Sequence, residues 1–321
     1  MKRFAARSRI ALIGHGRWGR HILRDLLALG CRAAVVDHGD GNRASALSAG
    51  ADSAVAEIED LPGRIDGVVI AVPATVHVAA IERALPFGVP IFVEKPLSTN
   101  EAEARRIARL AGGRLHVMEK WRYHPGIVEL ARMARSSELG AVRALRLRRI
   151  GWGHHYEDCD AVWTLLPHDL SIAQEILGPL RGPVFATGVN GADGRPAEML
   201  IVLGEKPSVT IEVSALRPVR ERSVTLICES GTACLPDAYA SAILVVRPTE
   251  TEPQPRAIAQ TMPLYEELRV FVAHLNGGPA PKGSIGQSLD AIRIVGLARR
   301  LAGWPEDTAT VNVPSAPEGR R

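Results

Sequence analysis

Arg9-Ile10-Ala11-Leu12-Ile13-Gly14-His15-Gly16-Arg17-Trp18-Gly19 is the stretch that decides how this 321-residue chain is read. A short apolar run, Ile10 to Ile13, ends in a GxGxxG pattern. Ile22, Leu23, Leu26 and Leu27 then recur at helical spacing. Strand, glycine turn and helix in that order form the dinucleotide-binding arrangement. Gly14 permits the tight turn, Gly16 leaves the backbone open to a pyrophosphate, and Gly19 lets helix and strand pack closely. The helix N-terminus offers unpaired N–H groups to the anion. The loop residues Gly14, His15, Gly16, Arg17, Trp18 and Gly19 are therefore cofactor-binding candidates.

A second apolar run, Ala33 to Val36, ends in Asp37, where an acidic side chain can accept hydrogen bonds from both ribose hydroxyls. Asp37 also repels a 2′-phosphate, so NAD is expected over NADP. Arg43 lies near enough in sequence to receive such a phosphate and is the competing signal.

Outward from this core the pattern alternates. Apolar runs at 10–13, 33–36, 68–72, 89–93 and 115–118 are separated by helical patterns, clearest at 17–29, 76–85 and 100–111. Continuous apolar runs between helices predict a parallel sheet covered on both faces, an α/β Rossmann domain. Ligands in such sheets lie at the carboxyl ends of the strands. That rule nominates Val72, Pro73 and His77 after one strand and Glu94 and Lys95 after another as cofactor contacts, with His77 a polar helix residue rather than a catalyst. After the last run, Glu119 to Pro125 is rich in hydrogen-bonding side chains, and Pro125 opens a helix over 126–135.

From Val142 the composition turns to strands. Candidates are 144–148, 184–189, 197–203, 208–214, 223–228 and 242–247, with hairpin turns at 204–207 and 229–232 and one helix at 161–177. An α+β domain with a large, mostly antiparallel, open-faced sheet follows. Helical spacing returns at 264–276 and 285–302. The expected division is a dinucleotide-binding domain over 1–122 and a substrate and oligomerisation domain over 123–321, with the 285–302 segment packing back on the first. Residues 1–8 and 311–321 read as loose ends.

Apolar residues make up 46% of the chain and charged residues 23%, enough for a sizeable core. The net charge of +4 comes largely from scattered arginines without a compact basic and aromatic patch, which argues against nucleic acid. No apolar stretch approaches the ~20 residues of a membrane span. Cys31, Cys159, Cys228 and Cys234 show no paired spacing, as in a reduced cytoplasmic protein. His154, His155, Cys159 and His168 lack a recognised zinc spacing, so no metal is expected.

The chain resembles the glucose–fructose oxidoreductase, inositol dehydrogenase and MocA family over essentially its whole length. The resemblance rests on the GxGxxG loop, on Glu94-Lys95-Pro96, on Arg122-x-His124-Pro125 and on Trp163-x-Leu165-x-Pro167-His168-Asp169-Leu170. It implies NAD(P)-linked hydride transfer at a hydroxyl or carbonyl carbon of a sugar, polyol or nucleotide sugar, and a homodimer or homotetramer built through the open sheet. By motif position Lys95 matches the family's active-site lysine and His168 its catalytic histidine. A neutral His168 can take the hydroxyl proton, and the Lys95 ammonium can stabilise the developing alkoxide.

One departure from the pattern concerns Thr164, which stands where relatives carry an aspartate four residues before the histidine. Thr164 is thus a third catalytic candidate, able to hydrogen-bond but not to balance an imidazolium, and Asp158 or Asp160 are possible substitutes. Substrate candidates are Arg122, Tyr123 and His124, then Arg148 for an anionic group (with Arg146 beside it), and Trp152 and Tyr156 for stacking on a ring. A non-catalytic dinucleotide-binding sensor is the alternative that Thr164 raises, and an NAD-assisted glycosidase is a lesser one.

Overall fold

The computed structural model describes residues 8–153 and 158–304. Tyr156, His154, His155 and the two chain ends flagged from sequence lie outside these residues. The first sheet is built from β1 (Arg9–Ile13), α1 (Arg17–Ala28), β2 (Arg32–Val36), α2 (Asp40–Ser48), β3 (Ser53–Val55), β4 (Gly67–Ile70), α3 (His77–Ala84), β5 (Ile91–Val93), α4 (Glu101–Ala111) and β6 (Leu115–Val117). Its six strands run in the order β3-β2-β1-β4-β5-β6, all parallel. Strand order reverses beside β1, so the glycine loop lies at the crevice where such sheets bind ligands. Ile10, Leu12, Val35, Val69 and Phe92 are fully buried, as parallel strands covered by helices must be.

α5 (Pro125–Ser136) leads to the second sheet. β7 (Val142–Trp152) is followed by α6 (Ala161–Leu177). β8 (Pro183–Asn190), β9 (Pro196–Leu203), β10 (Ser208–Ser214), β11 (Leu216–Cys228), β12 (Gly231–Leu235), β13 (Ala242–Val246) and β14 (Gln254–Ala257) complete eight strands. Their order is β14-β13-β12-β11-β7-β10-β9-β8. Every pair is antiparallel except β7 with β10, the one forced by the α6 crossover. Period-two alternation sorts β7: Leu145, Leu147 and Arg149 are buried while Arg146 and Arg148 are exposed on the opposite face.

α7 (Pro263–Leu275) and α8 (Ile285–Leu301) close the chain. α7 lies against α1, with Phe271 stacked on Phe92 of β5 at a 4.7 Å centroid distance. α8 touches α4 and β6 as well as α6 and β8. The segment expected to pack back on the first sheet therefore bridges both, and α7 is the helix that covers the first.

Three strands and one helix escape the sequence reading. β3 is a three-residue edge strand, and β14, Gln-Pro-Arg-Ala, has no apolar alternation. β12 was absorbed into a hairpin turn, and α2 contains Gly41, Asn42 and two serines. None carries a hydrophobic period long enough to register. Among the described residues no helix is long and apolar enough to cross a membrane.

Candidate active site

The glycine loop has the shape its sequence requires. Gly14 adopts φ +95°, and a Cβ there would lie 2.7 Å from the Ala71 carbonyl oxygen of the next strand's end. A Cβ on Gly19 would strike Gly14 itself, whereas one on Gly16 would meet nothing within 4 Å. Gly16 also caps α1 without a side-chain hydrogen bond, so the first-turn N–H groups remain open beside an unfilled cradle. Asp37, at the end of β2, accepts the His15 N–H at 2.8 Å, the Gly39 N–H at 2.9 Å and the Asn42 side-chain amide at 3.1 Å. These donors hold its carboxyl below the ordinary carboxylate range, against the opposing effect of burial. Arg43 is tied to the Asp37 and His38 carbonyl oxygens and to Asp40. Loop, open helix end and ionised Asp37 fit a dinucleotide. Arg17 is exposed at the first position of α1.

Trp18 joins this loop to the strand ends. Its indole N–H donates to Glu94, and Lys120 Nζ lies 3.7 Å from its ring centroid. Glu94 also accepts the Lys95 N–H at 3.2 Å. Lys120 is not among the site residues nominated from the sequence. It is the residue closer to the end of β6, where strand-end chemistry belongs. Burial pulls its amine down to about 8.

Lys95 crosses from β5 to α6, where Nζ donates to the Thr164 carbonyl oxygen at 2.9 Å. Pro167 inside that helix has no N–H to offer Trp163, which loosens the turn that also carries His168. Burial lowers the Lys95 pKa. The His168 imidazole has no hydrogen-bond partner among the described residues and meets the Trp121 ring edge-on at 6.4 Å. Burial holds its pKa well below the ordinary value, and Lys95, Arg149, Lys120 and Arg222 push in the same direction. His168 is neutral across the physiological range.

Several candidates have other work. The Thr164 hydroxyl donates back to the Asp160 carbonyl at 3.0 Å, as helical threonines do, while its carbonyl accepts from Lys95. Asp158 accepts the Ala74 N–H at 2.7 Å, and Asp160 caps α6 and pairs with Arg299 at 2.6 Å. Both carboxylates are engaged away from His168. His77 is buried with its ring nitrogens 3.0 Å and 2.7 Å from the Val72 and Pro96 carbonyl oxygens, and so braces the two strand-end turns. Val72 packs against the glycine turn, and Pro73 precedes the turn into α3.

The Arg122-Tyr123-His124 run is structural as well. Arg122 is 2% exposed and pairs with Glu119, with Gln174 accepting at 2.6 Å. The Tyr123 hydroxyl accepts the Lys282 N–H at 2.6 Å. His124 caps α5, accepting the Gly126 N–H at Nδ1 and facing the Ala238 carbonyl at Nε2. Arg148 pairs with Glu212 and Glu221 on the sheet face opposite His168, where strand alternation puts it. Arg146 shares that face and donates to Thr210. Trp152 is 76% exposed at the end of β7. The residue that does face α6 is Arg149, whose guanidinium grips Asp169 at 2.6 and 3.2 Å and lies over the Trp121 ring.

Comparison with known proteins finds several that this chain is similar to. A model of the GFO/IDH/MocA family, described as an oxidoreductase family with an NAD-binding Rossmann fold, matches residues 8–118. Over those residues the chain is similar to the NAD-binding Rossmann domain of that oxidoreductase family. The chain is 27% identical to UDP-N-acetylglucosamine 3-dehydrogenase from Acidithiobacillus ferrooxidans over 66% of this chain and 68% of that one. It is 30% identical to inositol 2-dehydrogenase 2 from Saccharopolyspora erythraea over 53% of each. That alignment thus spans about half the relative's length. The solved structure of the Acidithiobacillus enzyme superposes over 92% of this chain and 98% of its own with a TM-score of 0.80 at 20% identity. A levoglucosan dehydrogenase solved with NADH gives 0.82 at 14% identity over 93% and 97%. The likeness in fold to these two structures therefore extends over both sheets.

Proposed function

We propose that this chain is an NAD-dependent dehydrogenase or reductase of a sugar-like hydroxyl or carbonyl carbon, with Lys95 and His168 at the reacting oxygen. The observation that carries this reading is the Lys95–Thr164 hydrogen bond, which fixes an ammonium one helical turn from an unpartnered, neutral imidazole. Gly14 to Gly19 and Asp37 would hold the dinucleotide, whose nicotinamide, when bound, accepts or supplies the hydride. In the oxidative direction His168 accepts the hydroxyl proton, which a neutral imidazole can do. Lys95 donates a hydrogen bond to the same oxygen and stabilises its negative charge in a site shielded from water. In reduction the proton moves the other way.

The relatives' substrates, a UDP-sugar and inositol, support a polyhydroxylated substrate class. Turnover of a sugar, polyol and nucleotide-sugar panel, followed by nicotinamide absorbance, tests the reading. Activity should fall at least a hundredfold in Lys95→Ala and in His168→Ala, the usual order for a lost acid–base group (about 10²). Full activity in both variants overturns it. The missing carboxylate beside His168 favours a second reading, a dinucleotide-binding sensor, which any robust turnover excludes.

A further inference from the structure

The charge around His168 is one-sided. Lys95 comes from the end of β5, Lys120 from beyond β6, Arg149 from β7 and Arg222 from β11, and each acts on the imidazole as a cation. Arg149 is neutralised by Asp169 in a two-point ion pair. Lys120 has the Trp18 ring and the nearby Glu94. Arg222 has nothing: among the described residues it forms no hydrogen bond and no ion pair, although it is only partly exposed. It shares a ladder rung with Arg149, one residue along from the strand's Glu221, which turns to the far face to pair with Arg148. Arg220, placed over the Tyr239 ring, adds a second cation beside it. Asp169 and Tyr239 offset part of this positive charge, but Asp169 is already held by Arg149, so a half-buried guanidinium without a hydrogen-bond partner of its own is left to receive an anion.

We propose that Arg222 receives an oxyanion of the substrate, the carboxylate of a sugar acid. The planar fork of a guanidinium matches a carboxylate in two parallel hydrogen bonds. Arg222 stands directly opposite Arg149, which holds Asp169, and Asp169 is the residue next to His168. An anion there belongs on the reacting sugar itself rather than on a remote diphosphate. The same anion offsets the cations that disfavour protonation of His168, so the substrate helps the base accept its proton. The inference rests on the sugar-oxidoreductase reading above and names its substrate class.

Calorimetric titration of the protein–NADH complex with D-glucuronate, D-glucose and UDP-glucose tests it. Glucuronate should bind at least about tenfold more tightly than glucose, an advantage lost in Arg222→Gln and partly kept in Arg222→Lys. NADH affinity and melting temperature report whether each variant is folded. Glucose bound as tightly as glucuronate, or a preference that survives Arg222→Gln, overturns the inference while leaving the sugar reading intact. An Arg222-dependent gain seen only with UDP-glucose moves the anion to the diphosphate and overturns the carboxylate assignment. A folded NADH complex that binds none of the three overturns the sugar reading, and the inference with it.

Discussion

Lys95 reaches across from the first sheet to hydrogen-bond the backbone of Thr164, while the Thr164 hydroxyl turns away to the Asp160 carbonyl. The backbone of residue 164 thus serves the site whatever its side chain, and the position four residues before His168 is open to redesign. Thr164→Asp would put a carboxylate on the face of α6 that carries His168. An adjacent anion favours the imidazolium, so the His168 pKa should rise from its depressed value. The acidic limb of the kcat/KM profile should move to higher pH by about one unit or more. An unmoved limb would mean that the limb does not report His168. Because Thr164 is buried and Asp160 is close, the variant should also melt at a lower temperature.

The two glycines of the loop separate folding from binding. Gly14→Ala places a Cβ 2.7 Å from a backbone oxygen at a positive φ, so it should cost more than about 1 kcal/mol of stability, read from denaturant unfolding. Gly16→Ala meets no protein atom within 4 Å and should melt within a few degrees of wild type. Its NADH affinity should nonetheless fall at least about tenfold, because the methyl enters the space the pyrophosphate needs. Unchanged affinity in Gly16→Ala would remove the loop from the cofactor site.

The first sheet was legible because buried parallel strands are nearly pure apolar runs, and the glycine turn carries its own geometry in its residue types. Lys95 and His168 were reachable through motif resemblance, and the Lys95 ammonium reaches the backbone of α6, the helix that carries His168. The substrate candidates were harder. Arg122, Tyr123 and His124 look chemical in a string of letters, yet each is buried in a hydrogen-bonded brace that joins distant segments such as Gln174, Lys282 and Ala238. Neighbouring arginines 148 and 149 differ only in strand parity, and one residue of register decides which faces the site. Arg222 lay inside a stretch of alternating charge, and its isolation becomes visible only when β11 pairs with β7.

Cofactor choice should rest on Asp37. Its carboxylate is held by three donors and stays ionised, so a 2′-phosphate would meet a fixed negative charge. Arg43, the cation that could answer it, is already engaged with Asp40 and two carbonyls. Fluorescence titration should show NADH bound at least about tenfold more tightly than NADPH. Asp37→Ser should weaken NADH and narrow the gap by about the same factor. NADPH preferred by the unaltered protein would overturn the assignment and shift attention to Arg43.

Acid should destabilise the fold through His116. This ring, on β6 opposite Phe92 and edge-on to His274 at 5.0 Å, has its pKa pushed down to about 4, by burial first and then by the His274 charge. In the unfolded chain its pKa returns to about 6.5. Above that value the ring is neutral in both states and contributes nothing to the pH dependence. As pH falls below about 6.5 the unfolded chain takes up a proton that the folded one refuses, so stability drops until the folded ring also protonates near pH 4. The loss attributable to this residue is on the order of 3 kcal/mol at full extent. His116→Phe keeps the ring shape without the titration. Denaturant unfolding at pH about 7 and about 4.5 should show a smaller acid penalty in the variant than in wild type. Equal penalties would mean that water reaches His116 in the folded protein and that its burial does not govern the acid limb.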